Sequence, residues 1–224
     1  MIKKIRHGGF IVALICVAAV SAAICAVAIV GSRGKINFNA DYYYVCYRIT
    51  DNGFSASSIS GAVSSYGGAG YILDYDGSFY VTVSCYYNLK DAETVCDNLR
   101  RRELDCAVLR ACVTSYTVKG YSAKNNSELY LGNLNTLNSI SVMAYECANG
   151  LDTGITQDKA KQLVASIKSG LNGLLKANGD NCFTKQLKTL LAECAARENG
   201  YILSKDMRYL QIAVTDVILK AELY

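Results

Sequence analysis

The chain has no proline, no tryptophan and a single histidine, His7, among its 224 residues. The shortage of imidazole excludes the most, because His7 sits in a basic flank ahead of the first apolar run, away from any segment that can fold around a site. A Ser-His-Asp or Cys-His nucleophile needs an imidazole beside it to take its proton, and catalytic zinc usually keeps at least one histidine ligand. Neither class is expected, and no catalytic residues are assigned. Ten cysteines are present, yet no two fall at the C-x-x-C spacing that lets a pair of thiolates chelate one ion, so no metal and no cofactor are expected. Cys16 and Cys25 lie in the long apolar run. Cys46, Cys85, Cys96, Cys106, Cys112, Cys147, Cys182 and Cys194 fall mostly on apolar faces of expected elements, where a thiol behaves as a small core residue; one or two bridges stay open.

Charge of one sign is also scarce. The formal net charge is +4, and Lys3, Lys4 and Arg6 supply three of those charges before the apolar run, leaving one for everything after. Binding to nucleic acid calls for a concentrated basic face on the folded part, so nucleic acid is not an expected partner. Hydrophobic residues make up 51% of the chain, enough for one or two modest domains with real cores.

The first feature present is the run from Phe10 to Gly31, which carries no charge. At about 1.5 Å per residue it spans a hydrocarbon core of about 30 Å, and it is read as a transmembrane helix with the lipid bilayer as its partner. Three basic residues precede it and two, Arg33 and Lys35, follow closely. That bias sets residues 1–9 in the cytoplasm and the body outside, as a single-pass protein of the cell membrane. The small residues Ala22, Ala23, Ala26 and Ala28 keep a cleaved signal peptide open as the alternative; both readings export the body.

Residues 32–41 read as a polar linker. After it, Tyr42 to Ile49 is dense in aromatic and β-branched residues and reads as a strand closed by Asp51, Asn52 and Gly53. Ile59, Ala62, Val63 and Tyr66 recur at helical spacing between Ser55 and Tyr66, and Gly67, Gly68 and Gly70 break that helix. Asp76-Gly77 joins strands Tyr71 to Tyr75 and Ser78 to Cys85 in a hairpin. Asn88 caps a helix running to Leu104, with Ala92, Val95, Cys96 and Leu99 on one face and Arg100, Arg101 and Arg102 near its end. A strand from Asp105 to Val113 completes the order β-α-β-β-α-β, a ferredoxin-like arrangement in an α+β chain.

The segment Val81 to Leu109 (VTVSCYYNLKDAETVCDNLRRRELDCAVL) resembles the SPOR domain. In that family a strand ending V-x-V-G-x-F leads into a helix with D/E-A-E and a later Leu; here stand Val81-Thr82-Val83-Ser84-Cys85-Tyr86, then Asp91-Ala92-Glu93 and Leu99. Tyr44-Val45-Cys46-Tyr47 is similar to the family's opening Y-V-Q-V, with Cys46 in place of the common Gln and Ser84 in place of the usual Gly. The resemblance, taken over residues 42–115, implies a bacterial cell-envelope protein that binds peptidoglycan glycan strands in cell division or sporulation.

In a four-stranded sheet with two helices on one side, alternate residues face the helices and the others face out. Val45, Tyr47, Val81 and Val83 have the packed parity, which leaves Tyr44, Cys46, Arg48, Tyr80, Thr82 and Ser84 on an open face. Tyrosine rings lie well on sugar faces, while arginine and hydroxyl groups hydrogen-bond sugar oxygens, so these six are the expected glycan-binding residues. Coverage of this face by the C-terminal region stays open. Residues 127–224 show only helical periods: Leu134, Leu137, Ile140, Ala144 and Cys147; then Leu163, Val164, Ile167, Leu171, Leu174 and Leu175; then Phe183, Leu187, Leu190, Leu191 and Cys194; then Leu210, Val214, Val217 and Ile218. Short connections imply an antiparallel helical bundle. The second functional reading is a non-enzymatic assembly protein that contacts other envelope proteins.

Overall fold

A computed structural model describes residues 34–49, 53–118, 123–178, 184–198 and 200–221. The expected cytoplasmic flank and membrane anchor at residues 1–31 lie outside the described residues, and among these no helix is long and apolar enough to cross a membrane. The elements run β1 (Gly34–Ile49), α1 (Gly53–Ser65), β2 (Tyr71–Tyr75), β3 (Ser78–Tyr86), α2 (Leu89–Arg100), β4 (Ala107–Val118), α3 (Ala123–Thr153), α4 (Gln157–Asn178), α5 (Thr184–Glu198) and α6 (Ser204–Leu219). The chain is α+β, with one four-stranded sheet in the order β2-β3-β1-β4 and every neighbouring pair antiparallel.

Local chemistry accounts for the boundaries. Asp76 and Gly77 both take positive φ, 51° and 72°, the mirror-image turn whose twist suits two antiparallel strands. Asn88 caps α2 by accepting from the Lys90 N–H at 2.8 Å, while its amide donates to Asp91 at 3.0 Å. That helix stops four residues short of the expected Leu104: Glu103 enters the left-handed region at φ 63° and the Leu104 N–H turns back to the Leu99 carbonyl.

The expected linker is corrected. Residues 34–41 are not a connector but the first half of β1, a 16-residue strand that continues alongside β4 as far as the Gly34–Val118 pair. Ile36 and Phe38 explain why: they are buried, and the Phe38 ring lies 6.0 Å from that of Tyr116. Apolar side chains at alternate positions turn a nominally polar stretch into strand once β4 supplies the ladder.

Helices cover both faces of the sheet. On one, α2 packs Ala92 and Cys96 against Val45 with Cys106, and α1 packs Ala56 and Val63 against Val81. On the other, α3 and α6 lie across the strands, and one continuous core joins Tyr42, Tyr44, Leu73, Cys85 and Ala111 of the sheet to Leu134, Leu137, Ile140, Leu210, Val214 and Ile218 of the helices. Helices α4 and α5 extend that core through Val164, Ile167, Leu171, Leu187 and Leu190. The expected division into a sheet domain and a separate bundle therefore gives way to a shared core. Every residue of the α3 stripe read from the sequence is buried. α6 departs from the amphipathic expectation, since the seven consecutive residues Leu210 to Asp216 are all buried, as a helix enclosed on all sides requires.

Candidate functional site

The tyrosine-rich sheet face assigned to glycan is not open. Tyr44 is 0% exposed, and its hydroxyl donates to Thr215 Oγ1 of α6 at 2.8 Å; Thr215 in turn donates to the Ile212 carbonyl. Thr82 is also fully buried, its hydroxyl donating to the Tyr71 carbonyl on the adjacent strand at 2.9 Å. Cys46 is buried near the end of the β1–β4 pairing, its thiol directed at the Ala107 carbonyl. Tyr80 is half-buried against the main core, opposite Leu73, and Arg48 occupies the register position opposite Tyr80.

Ser84 departs from the face altogether, and the reason is a bulge. Val45 pairs with Ser84 but Cys46 pairs with Thr82, so β3 carries one extra residue, Val83, at that point. Directly opposed residues share a face, which places Ser84 with Val45 on the α2 side and brings Cys85, not Ser84, opposite Tyr44. Strict alternation along β3 cannot anticipate that shift.

The covered face instead forms a hydrogen-bonded layer between sheet and helices. Tyr42 donates to Asn138 Oδ1 at 3.1 Å and Tyr87 to Ser141 Oγ at 2.8 Å, both on α3. Tyr71 donates to Asp216 Oδ2 at 2.7 Å and Tyr116 to the Ile218 carbonyl at 2.5 Å, both on α6. Gln211 donates from Nε2 to the Cys85 carbonyl at 3.1 Å, and Lys220 neutralises Asp216 at 2.9 Å. A tyrosine ring buried in a core still needs a partner for its hydroxyl, and this layer supplies one for each, which fixes how α3 and α6 seat on the strands. Sequence reasoning found the tyrosines but missed Thr215, Asp216, Gln211, Asn138 and Ser141. The available signal was α6 itself, whose polar residues interrupt a helix with no fully solvated face.

Burial raises the pKa of Tyr42, Tyr44, Tyr71, Tyr87 and Tyr116 above the ordinary phenol value; at Tyr71 the Asp216 carboxylate adds to the effect. The unfolded chain then loses these protons at about pH 10, whereas the native state retains them. Native stability is present in full below about pH 10 and falls as pH rises above it, by up to about 1.4 kcal/mol per pH unit for each such tyrosine. Tyrosinate absorbance of these five should therefore appear together with the loss of far-ultraviolet circular dichroism in an alkaline titration. Ionisation of all five well before any loss of helix signal would contradict their burial.

Exposed apolar side chains, among them Phe54, Leu89 and Leu129, are spread over several elements, and three others flank one seam. Lys205 Nζ reaches the Ser64 carbonyl at 3.0 Å and Arg208 reaches the Gly67 carbonyl at 3.2 Å, so the end of α1 meets the start of α6. Around this seam Tyr66 is 90% exposed and Tyr201 74%, with Leu203 also exposed. Arg208 further pairs with Asp152 at the end of α3. Compared with known proteins, the chain matches no family model, no curated protein and no solved structure.

Proposed function

We propose that the chain is a non-enzymatic, membrane-anchored assembly protein of the cell envelope, its body outside the cytoplasm, working by contact with other membrane proteins. The observation that carries this reading is the sealed sheet: the face that was to hold a polymer is the floor of the main core. Binding then falls to the outer surface, where the seam between α1 and α6 presents two tyrosines and a leucine beside basic residues. Distance favours the same conclusion. With the anchor at residues 10–31, two residues precede β1 at Gly34, and two residues reach at most about 7 Å, which holds the body at the bilayer rather than in the wall.

The SPOR-like, glycan-binding reading has one observation of its own. The succession β-α-β-β-α-β with the strand order β2-β3-β1-β4 supports a ferredoxin-like unit over residues 34–118, the arrangement that the resemblance implies. On that reading α3 and α6 must leave the sheet before glycan can reach Tyr44 and Thr82. Cosedimentation of the detergent-solubilised full chain with sacculi, before and after an amidase strips the stem peptides, separates the two. The assembly reading expects pelleting no greater than in a control without sacculi, together with discrete protein adducts from a photo-crosslinker placed at position 66 or 201 in intact membranes. Enrichment on stripped sacculi would overturn it in favour of glycan.

A further inference from the structure

Beneath α2 two buried cysteines face one another: the sulfurs of Cys96 and Cys106 lie 3.3 Å apart, each also directed at the other's carbonyl at 3.4 Å. Cys96 lies on the buried face of α2, one turn before its end, and Cys106 precedes the first residue of β4. They stand ten positions apart, with the exposed turn Arg101 to Asp105 between them. Arg100 already draws the two ends together, its Nε donating to the Cys106 carbonyl at 2.9 Å. A disulfide needs the sulfurs at about 2.0 Å, a closure of about 1.3 Å shared by the two side chains.

We infer that Cys96 and Cys106 form a disulfide that staples the end of α2 to the start of β4 once the body is outside the cytoplasm. The inference rests on the extracytoplasmic part of the proposed function, because thiols stay reduced inside the cell and bridges persist outside it. The oxidant is a small or protein disulfide. Local opening of the exposed turn frees Cys106, whose thiolate attacks one sulfur of that disulfide and expels the other half as a thiol; the Cys96 thiol then displaces the second half. The two cysteine hydrogens end on the two thiols released, and one S–S bond replaces another. Burial first, and the Cys96 thiol second, push the closed Cys106 thiol up to about 12, so exchange proceeds from the opened turn. Cys46 is the competing thiol, near enough for Cys96 and Cys106 to add to the burial that raises its own pKa to about 12.

Three arginines between the partners make the bond readable. The purified full chain in detergent is incubated with oxidised glutathione, blocked with an alkylating agent and cut with trypsin without reduction. The expected product is the peptide Asp91–Arg100 linked to Glu103–Arg110, two hydrogens lighter than the free pair, with a melting temperature higher by about 5–10 °C. Cys112 is exposed and reports whether the oxidant acted, by taking up glutathione. Cys96→Ala should abolish both the linked pair and the rise in melting temperature while keeping the unoxidised fold. Glutathione on Cys112 with Cys96 and Cys106 still alkylated, or a bridge from either of them to Cys46, would overturn the inference. The same digest on acid-quenched, alkylated cells isolates the other premise: a bridge formed in the purified chain but free thiols in cells upholds the pairing and sinks the extracytoplasmic placement.

Discussion

Replacing Tyr44 with alanine lowers unfolding free energy by about 3–5 kcal/mol in urea denaturation, the cost of removing a large ring from a packed core and leaving a cavity. The ring is fully buried and lies between the sheet and α6, where the Thr215 hydroxyl receives its proton. Tyr44→Phe keeps the ring and loses only that hydrogen bond, for about 1 kcal/mol, because Thr215 retains its own acceptor at the Ile212 carbonyl. The ratio of the two effects distinguishes core from surface. A tyrosine held out to stack on a sugar tolerates either change within about 0.5 kcal/mol, so a small effect from Tyr44→Ala would reopen the sheet face as a binding surface.

Gly70→Ala is the second large effect. Gly70 lies at the entry to β2 with φ at 65°, and a Cβ there would stand 2.6 Å from the Ser60 carbonyl oxygen and 2.1 Å from Ser64 Oγ. The serine side chain can turn aside, but the carbonyl belongs to the helix α1, and the segment is pinned on its other side by the Gly70 N–H to the Thr82 carbonyl at 2.9 Å. Gly77 provides the control, having φ at 72° with nothing within 4 Å of its added Cβ. Gly77→Ala should cost about 1–2 kcal/mol for left-handed backbone alone, and Gly70→Ala about 3–5 kcal/mol once the clash is added. Equal losses at the two positions would mean that the Gly68–Gly70 segment relaxes away from α1.

Much of this architecture is readable from periodicity. The hairpin at Asp76-Gly77, the cap at Asn88 and the buried stripe of α3 all follow from short-range rules, and the structure bears out each of them. Two long-range facts do not follow from local rules. One is the bulge at Val83, which depends on how β3 pairs with β1 and moves Ser84 to the opposite face. The other is the cover over the tyrosines. A signal for it was present in β1, because a strand with one open face alternates apolar and polar residues, whereas residues 42–47 read YYYVCY without a polar break, as in a strand enclosed on both sides. α6 carried the complementary signal in its lack of a solvated face. Neither says that the two belong together, since the hydroxyl contacts that join the sheet to α6 cross more than 100 residues of chain.

That separation sets the order in which the molecule can be made. The Tyr44 hydroxyl meets Thr215 across 171 positions and Tyr71 meets Asp216 across 145. Synthesis runs from the amino end, so the sheet is complete in sequence at Val118 while α6, its last cover, begins only at Ser204. At about 5–20 residues per second, the aromatic strands wait several seconds without the helix that shields them. Contacts of such long range also form slowly after the chain is finished. The nascent protein therefore passes through a stage in which the sheet face that carries Tyr44 and Tyr71 is complete but lacks the α6 side chains that close over it in the finished core.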